Sequence, residues 1–319
     1  MSEKELTMEN GTIRYSINRE KAMITGFRGF ASSLALPARI EGYPVAAIDR
    51  KAFLSCKSLC NIRLPDNVEE VGDWAFAHCD SLVEVSFAAR EVRFGRAVFK
   101  DCRNLKRIVV RDAGDGTCGE DVSDTGSRGA MGTAEKAYSR AELLAAAVTL
   151  LDAPYLLDIS AAGSREWLEQ WDIRLLSVLR ASDSEGYISQ SVYGEEDYIG
   201  TDLEEFTNAR RKVKVRLAFL RLLHPQGLNF SLKEELEEYL RSHTKGRATE
   251  ETWQVIRQEH GSHRAYYSLF AHLGCITEDN FDEILGDMGE DSPEMKAFFL
   301  QYRGKQQERV EDFFDSLEL

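Results

Sequence analysis

A chain of 319 residues, 43% of them apolar, is long enough for two domains with separate cores. Its net charge of −14 is unevenly spread: residues 1–110 hold 17 Lys plus Arg against 14 Asp plus Glu, or +3, and residues 111–319 hold 23 against 40, or −17. That acidic part argues against nucleic acid as the main ligand, because phosphate binding needs a clustered basic face, and against an anionic membrane surface. No stretch approaches the roughly 18 apolar residues of a membrane span. Met1 to Asn10 mixes charges of both signs and reads as no secretory signal, so a cytoplasmic location is expected.

In chain order, Thr12–Ile17 alternates polar and apolar residues, Asn18–Lys21 is turn-like and Ala22–Phe27 is a second strand candidate. A hairpin closing the open end of whatever follows is the expectation. Leu36-Pro37 repeats as Leu64-Pro65, with extra residues around Gly42–Pro44 in the earlier copy. From Val45 to Ala113 three consecutive 23-residue frames carry one pattern. Ile48, Val71 and Phe94 align, as do Phe53, Phe76 and Phe99, then Cys56, Cys79 and Cys102. Leu59, Leu82 and Leu105 follow, then Ile62, Val85 and Ile108, then Leu64, Phe87 and Val110.

Such a register marks a solenoid, whose units cannot bury their apolar faces alone and must stack. Rungs stack about 4.8 Å apart, so the three Phe rings should form a column. The regular cysteine spacing is a by-product of the repeat, and buried reduced thiols are expected rather than disulfides or a metal set. In the second strand of each frame, alternation points one set of side chains inward. That leaves Asn61, Arg63, Glu84, Ser86, Arg107 and Val109 outward as the candidate partner-binding surface.

The strings VAAIDRKAFLSCKSLCNIRLPDN and VEEVGDWAFAHCDSLVEVSFAAR resemble the BspA-type leucine-rich repeats of bacteria, whose unit reads roughly V-x-x-I-G-x-x-A-F-x-x-C-x-x-L-x-x-I-x-L-P. The third copy departs, with Phe94 in place of a small aliphatic, and Ala88-Ala89 stands where Leu-Pro is expected after the second. The resemblance implies a leucine-rich-repeat solenoid over about residues 12–110. It also implies the binding or adhesive roles common in that family.

From Asp112 to Gly132 the sequence has six Gly and five acidic residues and no aromatic, which reads as a flexible linker. Gly114-Asp115-Gly116-Thr117-Cys118-Gly119 matches GxGxxG formally, but more Gly, Ser and Asp follow where a phosphate-binding helix would have to start. No cofactor is expected. Beyond the linker the period becomes 3.6, with helices expected near 139–151, 164–181, 202–223, 231–243, 249–260, 262–273, 277–287, 292–303 and 306–317. Ser139-x-x-Glu142, Thr201-x-x-Glu204 and Ser231-x-x-Glu234 read as capping boxes, and Ser292-Pro293 as a helix start. Trp167, Trp171, Leu175 and Leu179 form one buried stripe. Thr249-Glu250-x-x-Trp253-x-x-Ile256 recurs 28 residues later as Thr277-Glu278-x-x-Phe281-x-x-Ile284, and Phe270 as Phe298, which suggests stacked helix pairs. The segment 276–305 resembles ankyrin-like helix pairs, without the threonine-proline-leucine-histidine signature of true ankyrin repeats.

Reactive constellations are scarce. His260 and His263 lie three apart across a Gly, unlike the i, i+4 spacing of a helical zinc site, and read as a polar turn. Gly194-Glu195-Glu196-Asp197 lacks the alternating ligands of a calcium loop. It is expected to face the basic run of which Arg210, Arg211 and Lys214 would point outward, with Glu204 and Glu205 as further counter-ions. Those three cations are the second candidate docking patch. No metal site, nucleophile elbow or Walker loop is present.

The resulting expectation is an α+β chain of two domains: a leucine-rich-repeat β-solenoid with an N-terminal hairpin cap over 1–111, a linker over 112–133, and an all-α helical-repeat domain over 134–319. Its expected role is a non-enzymatic protein-interaction scaffold with a protein partner. The alternatives are a surface adhesion module and an enzyme with its site in the helical half.

Overall fold

The computed structural model describes residues 3–111, 131–187, 202–261, 263–290 and 292–304. Residues 112–130 of the expected linker, including Gly114–Gly119, lie outside them, as do Gly194–Asp197 and the helix expected over 306–317. The first strands, β1 (Lys4–Met8), β2 (Gly11–Asn18) and β3 (Lys21–Gly29), form an antiparallel meander. They are followed by β4 (Ser33–Ala35), β5 (Arg39–Ile40), β6 (Tyr43–Ile48), β7 (Asn61–Arg63), β8 (Glu70–Val71), β9 (Glu84–Ala88), β10 (Arg93–Phe94) and β11 (Arg107–Arg111). One sheet runs β1-β2-β3-β6-β8-β10, with β5 hairpinned onto β6, and the other runs β11-β9-β7-β4.

The expected hairpin is there, with Asn18 opposite Lys21 and both Arg19 and Glu20 at positive φ (48° and 60°), the conformation a two-residue hairpin requires. Its second strand, however, belongs to the solenoid. β3 pairs in parallel with β6, β4 with β7, and the Phe27 ring stacks on Phe53 at 5.7 Å. The solenoid therefore has one rung more than the 23-residue frames show, and the cap is β1 and β2, which bring Ile13 and Tyr15 into the core. The residues around Gly42 form the β5–β6 turn, with Glu41 and Gly42 at positive φ.

Each rung repeats the one before it down to the backbone. Left-handed φ values recur at Lys51, Trp74 and Ala97 and at Ser55, His78 and Asp101, every one between 52° and 61° and none of them glycine. Such conformations cost on the order of 1 kcal/mol or more apiece. They are held by a ladder between rungs: Phe53 N–H donates to Ala75 O (2.8 Å), Phe76 to Val98 O (3.0 Å), Ser55 to Ala77 O (2.9 Å) and His78 to Lys100 O (2.8 Å). Gly72 sits where rungs pass closest, and a Cβ there would lie 2.6 Å from the Arg50 nitrogen. Inside, Phe53–Phe76 and Phe76–Phe99 stack at 5.1 and 5.6 Å with ring planes within 16° of each other. Beside the column the Cys79 Sγ donates to Phe53 O and the Cys102 Sγ to Phe76 O, at 3.1 and 3.0 Å, and both are free thiols.

The far end of the solenoid is closed by helix α1 (Met131–Thr149), which packs against β11, the edge strand of its sheet. Arg140 Nη2 donates to Val110 O at 3.3 Å, and Ala141, Leu143, Leu144 and Ala147 are buried. A short 3-10 turn (Pro154–Leu156) and α2 (Arg165–Arg180) follow. The Trp stripe on α2 is buried as expected, with Trp171 Nε1 donating to Leu143 O (3.1 Å) and Trp167 Nε1 to Leu156 O (2.9 Å). The compact units are accordingly Met1–Leu175 and Leu176–Leu319, divided inside α2 rather than between 111 and 134, because α1 covers apolar surface that the last rung would otherwise expose. Since α1 begins at Met131, Ser139 is a buried mid-helix residue and not a cap.

The second unit is helical: α3 (Leu203–Leu223), α4 (Phe230–Ser242), α5 (Glu251–Glu259), α6 (Arg264–His272), α7 (Glu278–Asp287) and α8 (293–304). Asn229, not Ser231, caps α4, accepting from Leu232 N at 2.8 Å, and Thr277 with Asn280 forms a capping box on α7. At the positions of the 28-residue sequence pattern, Trp253 and Ile256 on α5 are buried, as are Phe281 and Ile284 on α7. The buried counterpart of Phe270 is Phe299, not Phe298, because the second pair carries a longer turn. Trp253 gathers Phe270, Tyr267 and Phe299 around it at 5.6 to 6.3 Å.

Phe76 has a ring on each side, so Phe76→Ala should destabilise the first unit by about 3–5 kcal/mol, and Phe27→Ala, at the half-buried end, by less. Urea unfolding of the full chain checks the order. A loss below about 1 kcal/mol at Phe76 would show that the column collapses into the void. A protease site engineered between 112 and 130 should, once cut, leave the pieces together on gel filtration, held by α1 on β11. Separation of the pieces would mean that the cap contributes little.

Candidate interaction surfaces

Sheet register places the six outward residues side by side. Asn61 pairs with Glu84 and Glu84 with Arg107, and Arg63 pairs with Ser86 and Ser86 with Val109, so two rows cross three rungs. Asn61 is exposed, while Arg63, Glu84, Arg107 and Val109 are half-buried. Arg107 reaches Glu84 Oε2 through Nη2 at 2.7 Å and through Nε at 2.8 Å. Ser86 departs from the expectation of an open position, being 8% exposed because Arg111 lies over it.

Arg111 is the residue the sequence reading missed on this face. Its guanidinium donates to Ser86 Oγ (2.6 Å) and Leu64 O (2.7 Å) and pairs with Asp66 at 3.0 Å, tying three strands together. The signal was available, since Arg111 continues the outward alternation of Arg107 and Val109. The surface is thus a polar sheet face with its charges already matched, flanked by exposed Asn61 and half-buried Arg63.

The second candidate patch is rearranged. Of the basic run on α3, Lys214 is 6% exposed and points inward, against expectation, donating to Asp183 Oδ1 and Ala181 O, both at 2.6 Å. Arg211 pairs with Asp183 (2.9 Å) and with Glu251 (3.4 Å), Arg216 with Glu259 (2.6 Å), and Arg210 donates to Glu185 O (3.1 Å). The counter-ions therefore come from the segment before α3 and from α5, elements whose contact with α3 no local pattern encodes. Glu204 and Glu205 stand in the first turn of α3, near its positive end. Burial alone would raise the Asp183 carboxyl, but hydrogen bonds from Lys214 and Arg211 outweigh it and hold the group below the ordinary carboxylate range. Burial, then the Asp183 and Glu251 carboxylates, push the Tyr239 phenol up. Lys214 and Arg211 thus serve the core of their unit, while Arg210 stays exposed as expected, so the three do not form a shared outer face.

His260 and His263 flank the α5–α6 turn, and the His260 ring stacks on Tyr266 at 3.6 Å. Among the described residues no group of three His, Cys, Asp or Glu side chains could hold a metal ion, and no helix is long and apolar enough to cross a membrane.

Residues 31–114 match the family model described as a BspA type leucine rich repeat region, in six copies. Among solved structures, a Treponema pallidum leucine rich repeat protein is 27% identical over 34% of this chain and 50% of its own, with a TM-score of 0.28. A leucine rich cell surface protein from Faecalibacterium prausnitzii A2-165 is 27% identical over 35% of this chain and 33% of its own, with a TM-score of 0.31. A leucine-rich repeat protein from Bacteroides capillosus ATCC 29799 is 25% identical over 34% and 82%, with a TM-score of 0.30. The chain thus spans half and a third of the lengths of the first two. No curated protein matches.

Because Asp183 holds Lys214 and Arg211 together, Asp183→Asn should cost on the order of 3 kcal/mol at neutral pH by stranding a buried ammonium. The sign with pH follows from its depressed pKa: its contribution is present above the ordinary aspartate value of about 4 and is lost as pH falls through the lower folded value. The wild-type advantage should therefore shrink between pH 7 and pH 2 in urea titrations. An equal difference at both ends would place the stabilisation elsewhere.

Proposed function

We propose that the chain is a non-enzymatic interaction scaffold of the cytoplasm. Its solenoid binds a protein partner through the outward face of β7, β9 and β11, and its second unit is a helical-repeat module. The observation that carries this reading is the continuity of that face. Asn61, Arg63, Glu84, Arg107 and Val109 lie in register on three adjacent strands, and their side chains are spared from the core, which the alternate residues Ile62, Val85 and Ile108 fill. A polar surface of matched charges suits a hydrogen-bonded, salt-sensitive contact. Leucine-rich solenoids bind partners in this way because outward positions vary without disturbing the core.

Two further observations support the reading. Cys56, Cys60, Cys79, Cys102 and Cys275 are all free thiols, as in a reducing compartment. Cys79, through its hydrogen bond with Cys102 and burial, and Cys275, through burial, have thiols pushed up to about 12, which makes them poor nucleophiles.

The test inverts the surface while keeping its internal pairing. A Glu84→Arg, Arg107→Glu double variant retains the ion pair, so its melting temperature should stay within about 3 °C of wild type. Affinity capture from the native host, compared between the two forms, should lose the specific partner in the variant. Undiminished capture would remove this face from the binding site.

A further inference from the structure

In the second unit a cleft of about 250 Å³ opens along one face of α5. One wall is the stripe Glu250, Trp253, Gln254, Arg257 and Gln258, at the i, i+3, i+4, i+7, i+8 positions that share a helix face, and the facing wall is Lys245 and Asp287. The base is fixed by a buried network. Trp253, 1% exposed, donates its indole N–H to Asp287 Oδ2 at 3.0 Å. Lys245, 9% exposed, donates to the same oxygen and pairs with Glu283 at 3.0 Å.

The hydrogen-bonding capacity left along the cleft sorts by kind. Gln258 Oε1 accepts from Lys212 Nζ at 3.2 Å, which leaves its amide N–H groups as donors. At the adjacent position the exposed Arg257 guanidinium makes no hydrogen bond or ion pair among the described residues, and its charge reaches Asp287 and Tyr267 only through space. Toward the start of α5 the order reverses: Gln254 Nε2 donates to Glu250 Oε1 at 3.1 Å, leaving Gln254 Oε1 and the second Glu250 oxygen as acceptors. The cleft therefore has a donor end and an acceptor end about one helical turn, roughly 5 Å, apart. Its lining charges cancel, Lys245 and Arg257 against Glu250 and Asp287.

We propose that this cleft binds a free α-amino acid, its carboxylate on Arg257 and the Gln258 amide and its ammonium on Glu250 and the Gln254 carbonyl. A lone carboxylate would bring its charge beside Glu250 and Asp287, and a lone amine would leave Arg257 unanswered. A zwitterion matches both ends and adds no net charge to a neutral lining. Arg257 offers the forked donor geometry that carboxylates take up in pairs. The volume lies just under the roughly 300 Å³ at which drug-sized pockets begin, as suits a single metabolite.

The test is a thermal-shift panel of the standard α-amino acids on the full chain, at up to about 10 mM, followed by calorimetry of any that bind. At least one should bind, and both its α-amide, which lacks the carboxylate, and its N-acetyl derivative, which lacks the ammonium, should bind at least about tenfold more weakly. Arg257→Ala should cause a similar loss with a nearly unchanged melting temperature of the unliganded protein, since the side chain is exposed and makes no hydrogen bond or ion pair among the described residues. Failure of the whole panel overturns the proposal. So does equal binding of the N-acetyl derivative, which would reveal a plain carboxylate site, or binding undiminished by Arg257→Ala.

Discussion

The first unit depends on one constraint: residues 23 apart must lie directly over one another. Parallel stacking of identical turns satisfies the backbone through hydrogen bonds from each rung to the next, and only a common backbone shape allows that ladder to continue. Recurrent left-handed residues show how strictly the shape is kept. Lys51, Trp74 and Ala97 have unrelated side chains and adopt the same disfavoured φ because their neighbours in the stack hold them there. The Phe column is the side-chain form of the same constraint, and it runs on to Phe27 because the backbone ladder does.

Charge reinforces that register. Residues 64–89 contain six Asp or Glu and no Lys or Arg, while residues 90–111 contain eight Lys or Arg and two acids. Stacking sets acid beside base at matching positions: Glu70 by Arg93 (3.0 Å), Asp73 by Arg96 (3.1 Å) and Glu84 by Arg107 (2.7 Å), each pair 23 apart. Individually such exposed pairs contribute little, because solvent screens them. Together they favour this register over one that sets an acidic rung on another acidic rung. One of them, Glu84–Arg107, sits in the middle of the proposed binding face, so the residues that set register also shape the surface offered to a partner.

The second unit shows a different economy. Its basic run looks like a docking surface in sequence, yet Lys214 and Arg211 are drawn into an ionic cluster with Asp183 and Glu251. Buried charges tolerate this only when several partners surround them. The cation left without an ion pair at the cleft, Arg257, lies within no basic cluster and has no sequence signature at all.

Sequence by itself determined the solenoid, because a repeat is a translational symmetry and symmetry is legible as spacing. The inward and outward sets of β7, β9 and β11, the Phe column and the Trp167–Trp171 stripe all follow from period and residue type. Tertiary structure alone decided what closes the solenoid, since α1 has no repeat to announce that its apolar face belongs on β11 and not among the later helices. It also decided that Arg111 covers Ser86, that Phe299 rather than Phe298 fills the place of Phe270, and which acids neutralise the basic run. These are contacts between segments 25 to 43 residues apart or shifts of turn length, and a local pattern carries no information about which distant element will supply the partner.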